Sequence, residues 1–184
     1  LKDIKSGGSS SPNHLTVSGG FLYFSADGTN GREIWKSDGT TGGTQMLYDA
    51  VAGGGHSYPQ DIMPFGSGVT FRANDGSGYR RAYYSDGTIG SATELSSGST
   101  ALNPDVEYVV SDGAKVYFFM DDGSKGQELW VSDGTLGNTQ LLREFAEGPT
   151  GVTPQNLTFF QGSLYTSFDA QDGAGAVSYT HLRA

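Results

Sequence analysis

One phrase recurs three times in this chain: EIWKSDGTTGGTQ from Glu33, AYYSDGTIGSATE from Ala82 and ELWVSDGTLGNTQ from Glu128. Ser37, Ser85 and Ser132 open the three SDGT segments at spacings of 48 and 47. Upstream, Leu22, Val69, Val116 and Leu164 begin LYF, VTF, VYF and LYT at spacings of 47, 47 and 48. Pro12, Pro59, Pro104 and Pro154 precede those segments by 10, 10, 12 and 10 residues, so the third unit carries a small insertion. Downstream, Leu47, Leu95 and Leu142 each follow the turn glycines Gly39, Gly87 and Gly134 by 8 residues. Independent landmarks that keep one register define a repeat, and a period in the forties restricts the fold to an array of one supersecondary unit.

The repeat divides the chain. Residues 12–58, 59–103 and 104–153 are three complete units, and 154–176 begins a fourth. LKDIKSGG at the start matches LYDAVAGGG from Leu47 and LREFAEG from Leu142, which makes 1–11 the end of a preceding unit. The fourth unit then departs from the pattern, with Thr180 where Trp35, Tyr83 and Trp130 stand. The closing VSYTHLRA shares nothing with the repeat and resembles translated adapter read-through, so 177–184 reads as an artefactual tail. All units belong to one repeat domain, a fragment of a longer array.

Each unit reads as four short strands, in the first case HLTVS, FLYFSA, REIWKS and TQMLYDA. Between them lie GG, DGTNG and DGTTGG, rich in the residues that close tight hairpins. No segment has a useful helical period. Phe21, Leu22, Tyr23 and Phe24 are consecutive, and apolar residues on both sides of a strand imply a sheet packed between two neighbours. Four antiparallel strands, about 47 residues and two buried faces describe an all-β, β-propeller-like fold. Three complete and two partial blades make it open or incompletely closed. A β-solenoid with shorter coils and a row of small sandwiches are the competing architectures.

Composition narrows function. Lys plus Arg number 11 against 20 Asp plus Glu, a formal net charge of −9, which repels a polyanion and excludes nucleic acid as a partner. There are no cysteines, hence no disulfide scaffold and no thiolate-bound zinc. No apolar run approaches the 18 residues of a spanning helix, so membrane insertion is not expected.

EIWKSDGTTGGT and ELWVSDGTLGNT resemble the bacterial ELWxxDGT repeat of long secreted or surface proteins sometimes labelled hyalin-like. The resemblance covers residues 1–176. The second unit departs from it, with Ala82, Tyr83 and Tyr84 in the motif and Arg81 where Glu33 and Glu128 stand. What the resemblance implies is an extracellular, non-catalytic array with neighbouring repeats on either side.

The repeated motif admits two readings. Asp38, Asp86 and Asp133 with nearby threonines could form cation or sugar sites. In the architectural reading Asp accepts from turn amides, Gly39, Gly87 and Gly134 take positive φ, and Thr starts the next strand. A turn needs those residues in every unit, whereas a site needs them in one place, so architecture is expected. Trp35, Tyr83 and Trp130 could stack on sugars, but their recurrence at one blade position points to packing between units. SADGTNG, RANDGSG, MDDGSKG and DAQDGAG recur between second and third strands, with Asp121 and Asp122 the richest calcium candidates. None fits the EF-hand ligand pattern, so no cofactor is expected.

Nucleophile elbows, metal-binding His motifs and phosphate loops are missing from the sequence. His14, His56 and His181 occupy non-equivalent positions. Glu33 and Glu128, two residues before the aromatic, are expected on a blade surface, with Arg81 close enough to pair with one of them. The expected function is a non-catalytic extracellular or cell-surface module, a scaffold or binding surface for a protein or carbohydrate. A propeller enzyme acting on polysaccharide and a calcium-stabilised adhesion array are the alternatives.

Overall fold

A computed structural model describes residues 2–96, 104–145 and 151–169, together with the backbone of 170 and 177–183. The first sheet is β1 (Asn13–Ser18), β2 (Phe21–Gly28), β3 (Gly31–Ser37) and β4 (Gln45–Tyr48). The second is β5 (Gln60–Phe65), β6 (Gly68–Asn74), β7 (Arg80–Ser85) and β8 (Thr93–Glu94). The third is β9 (Val106–Ser111), β10 (Val116–Asp121), β11 (Gln127–Ser132) and β12 (Gln140–Arg143). The fourth is β13 (Val152–Phe160), β14 (Ser163–Ala170) and β15 (Val177–Arg183). Every sheet is an antiparallel meander in chain order. No α-helix occurs among the described residues.

Side-chain alternation explains the stacking. On β2, Tyr23 faces the second sheet while Phe24 and Ala26 face the other way, beneath Ile4. Tyr23, Ile34 and Leu47 pack against Val69, Phe71 and Tyr83 of the second sheet. Phe65, Ala82 and Leu95 pack against Val106, Val116 and Phe118 of the third. Tyr117, Phe119 and Leu129 pack against Leu157, Leu164 and Phe168 of the fourth. Each such large side chain, fully buried, contributes about 1.5–3 kcal/mol. Both faces of the second and third sheets are thus covered by other sheets, in an open, propeller-like arrangement.

The first strands β1, β5, β9 and β13 run beside one another and lie innermost. Thr16 Oγ1 donates to the Ile62 carbonyl at 2.6 Å, and the Gly66 amide to the Gly113 carbonyl at 3.1 Å. A bulge interrupts the pairing of each of these strands. In the first three sheets a left-handed non-glycine residue lies there: His14 (φ 52°), Asp61 (φ 51°) and Tyr108 (φ 50°). The insertion in the third unit lies just before that point. Two more residues separate Pro104 from Tyr108 than separate Pro59 from Asp61.

Residues 177–183 form a strand despite their lack of repeat sequence. Thr180 lies opposite Thr166, the register in which Trp35 opposes Phe24, Tyr83 opposes Phe71 and Trp130 opposes Phe118. Ladder pairing uses backbone amides and carbonyls, so the third-strand place can be filled without the motif's side chains. Most of the DAQDGAG segment, residues 171–176, lies outside the described residues.

The turn glycines also touch the preceding sheet. A Cβ on Gly87 would lie 2.6 Å from Tyr23 Oη, and one on Gly134 2.6 Å from Phe65 Cε1, whereas one on Gly39 meets nothing within 4 Å. All three have φ near 90°. Gly39→Ala therefore incurs only the left-handed backbone cost, of order 1 kcal/mol. Gly87→Ala and Gly134→Ala add an overpacking cost of about 1–3 kcal/mol. Urea unfolding of the three variants should rank Gly39→Ala as the mildest; equal losses would show that the turns do not bear on the neighbouring sheet.

Candidate functional site

The three SDGT segments share one hydrogen-bond pattern. Asp38, Asp86 and Asp133 Oδ1 accept from the amides of Thr40, Thr88 and Thr135 at 2.9, 2.8 and 3.0 Å. The preceding Ser37, Ser85 and Ser132 hydroxyls accept from Gly39, Gly87 and Gly134 amides at 3.0, 3.2 and 3.2 Å. The Thr40 and Thr135 hydroxyls, the largest influence in each case, hold Asp38 and Asp133 below the usual carboxylate range. For Asp86 the Thr88 amide has that role.

The motif aromatics all face the preceding unit. Trp35 Nε1 donates to the Ala26 carbonyl at 3.2 Å, and Trp130 Nε1 to the equivalent Met120 carbonyl at 3.1 Å. Tyr83 stacks on Phe71 with ring centroids 5.3 Å apart. Those contacts lie within each sheet; across to the preceding unit Trp35 packs with Ile4, Trp130 with Phe65, and Tyr83 meets Tyr48 with ring centroids 5.8 Å apart.

Asp121 and Asp122 sit on the β10–β11 turn. Asp121 Oδ1 accepts from the Gly123 amide at 2.7 Å. Asp122 Oδ1 accepts from the Ser124 amide and hydroxyl at 2.9 and 2.6 Å and from the Lys125 amide at 3.1 Å. Partial burial alone would raise the Asp122 pKa, but these donors outweigh it and hold it below its ordinary value. Among the described residues no group of three or more His, Asp or Glu side chains is arranged to hold a metal ion.

Glu33 and Glu128 are not on a surface, contrary to the sequence expectation; they are 0% and 1% exposed. Glu33 accepts from the Ala50 amide at 3.2 Å, the Ser57 amide at 3.0 Å and the Ser57 hydroxyl. It thereby ties down the crossover from β4 to β5. Glu128 Oε2 accepts from the Phe145 amide at 2.6 Å, just after β12. Buried loop amides need acceptors, and a carboxylate is a strong one. Period-two alternation carries the missed signal, because Glu33 lies on the same strand face as buried Trp35.

Arg81 does the same task with opposite polarity. Its guanidinium donates to the Pro104 carbonyl at 2.7 Å, anchoring the next crossover. Its charge is met by Asp75 at 2.7 Å and Glu94 at 3.7 Å, and these are the ion pairs it makes in place of the expected Glu33 or Glu128.

At the start of the inner strands the first and second sheets each have a polar corner. In the second sheet Tyr58, Gln60, Arg72, Ala73, Asn74 and Arg80 enclose a cavity of about 250 Å³. Arg80 is held by Asp105 at 2.6 Å and Glu107 at 2.9 Å, and Arg72 by Asp61 at 3.1 Å. Sequence reasoning missed this corner because its residues differ from unit to unit. The insertion before Tyr108 was its one trace.

The chain is similar in structure to the computationally designed Ika8 protein, with 21% identity and a TM-score of 0.49. That alignment covers 96% of this chain and 47% of the designed one, so the chain spans about half its length. An α-L-arabinofuranosidase from Clostridium thermocellum aligns at 14% identity and a TM-score of 0.39, over 98% of this chain and 71% of that one. No protein-family model matches the chain, and no curated protein matches it. No helix among the described residues is long and apolar enough to cross a membrane.

Burial, the dominant cause, raises the Glu33 carboxyl above its ordinary 4.5, and Glu94 behaves likewise. The folded chain then binds these protons more tightly than the unfolded chain, so stability rises as pH falls toward that value. The lowered turn aspartates act oppositely, removing stability as pH drops below their ordinary 3.8. Thermal midpoints across pH should therefore pass through a mildly acidic maximum. Glu33→Gln should flatten the neutral-side limb while lowering stability by about 1–3 kcal/mol through the disturbed amide contacts. An unchanged limb in that variant would remove Glu33 from the effect.

Proposed function

We propose that the chain is a non-catalytic module of an extracellular or cell-surface repeat array, serving as a scaffold or binding surface for a protein or carbohydrate. Neighbouring repeats of the ELWxxDGT kind are its partners within the parent chain. The observation that carries this reading is the engagement of the repeated acids: turn aspartates and the two buried glutamates accept from the protein's own amides. Acids so engaged build the fold rather than act on a substrate. At the inner-strand corners, by contrast, Ser11, Asn13 and Asp27 of the first unit give way to Tyr58, Gln60 and Asn74 in the second, side chains that change without disturbing the sheets.

Co-sedimentation of the 184-residue chain with insoluble polysaccharides and cell-envelope fractions, with reducing ends assayed in the supernatant, tests this. Saturable retention on at least one material without release of reducing ends is expected. Steady release of reducing ends would replace the binding reading with an enzymatic one.

A further inference from the structure

The polar corners of the first and second sheets occupy equivalent positions but end in different states. In the first, Arg32 closes the corner upon itself: it donates to Asp27 at 2.7 Å, to Asn13 Oδ1 at 3.2 Å and to the Ser11 carbonyl at 3.1 Å. One repeat on, Ser11 becomes Tyr58, Asn13 becomes Gln60 and Asp27 becomes Asn74. Ser11 and Tyr58 even share a left-handed backbone, with φ of 40° and 48°. Arg80, the counterpart of Arg32, finds an amide where Arg32 finds a carboxylate. It turns instead to Asp105 and Glu107. Asp105 belongs to the lengthened stretch after Pro104, so the insertion supplies the group that draws Arg80 away.

What remains is a cleft with unpaired hydrogen-bonding groups. Gln60 Oε1 accepts from Arg72 at 2.9 Å, but its amide nitrogen, the Asn74 carboxamide and the Tyr58 hydroxyl have no partner among the described residues. Tyr58 is 51% exposed and stacks on His56 at 5.2 Å. The two guanidiniums face three carboxylates, Asp61, Asp105 and Glu107, so no surplus positive charge is left to attract an anion. An aromatic wall beside carboxamides that both donate and accept, in a cleft with no surplus positive charge, matches a ring with an apolar C–H face and several hydroxyls. The cavity falls below the ~300 Å³ at which drug-sized sites begin, which suits one sugar unit.

We infer that this cleft binds a single neutral pyranose unit of a glycan. The inference rests on the binding-module reading and narrows its ligand class. Methyl α-glucoside, methyl α-mannoside and methyl β-galactoside, titrated into the ¹⁵N-labelled 184-residue chain, test it. At least one should move the Gln60 and Asn74 side-chain amide signals together, with a dissociation constant of order millimolar, a weak site's range. Tyr58→Asn, which keeps a residue tolerant of left-handed backbone, should weaken binding roughly tenfold or more. Asn74→Asp restores the first sheet's carboxylate, recaptures Arg80 and should also abolish the remaining Gln60 shift.

Three results would overturn the inference. One is no movement of Gln60 or Asn74 with any of the glycosides. A second is binding untouched by both variants. The third is tighter, salt-sensitive binding of methyl glucuronide, which would make the cleft an anion site. Retention on polysaccharide that survives Tyr58→Asn would sink this cleft and leave the binding module standing. Absence of both retention and titration in the unaltered chain would remove both readings.

Discussion

A four-stranded sheet with apolar residues on both faces cannot stand alone in water, and every other feature of this chain answers to that constraint. Tyr23, Phe71, Phe118 and Phe119 are all fully buried or nearly so, and no single sheet encloses them. Each sheet is covered by its neighbours in sequence, with the inner strands side by side. The repeat is therefore a requirement rather than an ornament: one unit supplies half of two cores.

The joints between sheets are built from a few recurring pieces. An SDGT turn closes each third strand and, through Gly87 or Gly134, rests against the sheet before it. A buried charged residue two positions before the motif aromatic fastens the crossover to the next sheet. Glu33 and Glu128 do so by accepting from amides, and Arg81 by donating to a carbonyl. The same structural task tolerates either sign of charge because loop backbone offers both donors and acceptors. Arg81 then requires Asp75 and Glu94 beside it, while Glu33 is met by two amides and the Ser57 hydroxyl.

The period, the four-strand unit and the two-faced sheets were legible in the sequence because each is written at short range. SDGT carries its own turn chemistry, and FLYF announces burial on both sides. The buried glutamates were not legible, since a carboxylate usually lies on the surface and only its crossover partners, 17 and 24 residues away, reveal otherwise. Arg81 was misjudged for the same reason. The strand at 177–183 escaped notice because backbone pairing leaves little trace in side-chain identity. The cleft beside Tyr58 was least visible of all: its distinctiveness lies in the difference between two equivalent corners, and repeat reasoning discards differences.

Because each sheet leans mainly on the next, the chain is mechanically a series of links rather than a single block. A module pulled by its two ends would yield link by link, each joint parting without requiring the remote ones to do so. A released unit of about 47 residues would lengthen the chain by roughly 150 Å, at ~3.3 Å per extended residue. The crossover clamps at Glu33 and Arg81 would act as the catches that decide the order. Between two anchored surfaces, such a string of catches would behave as a shock absorber.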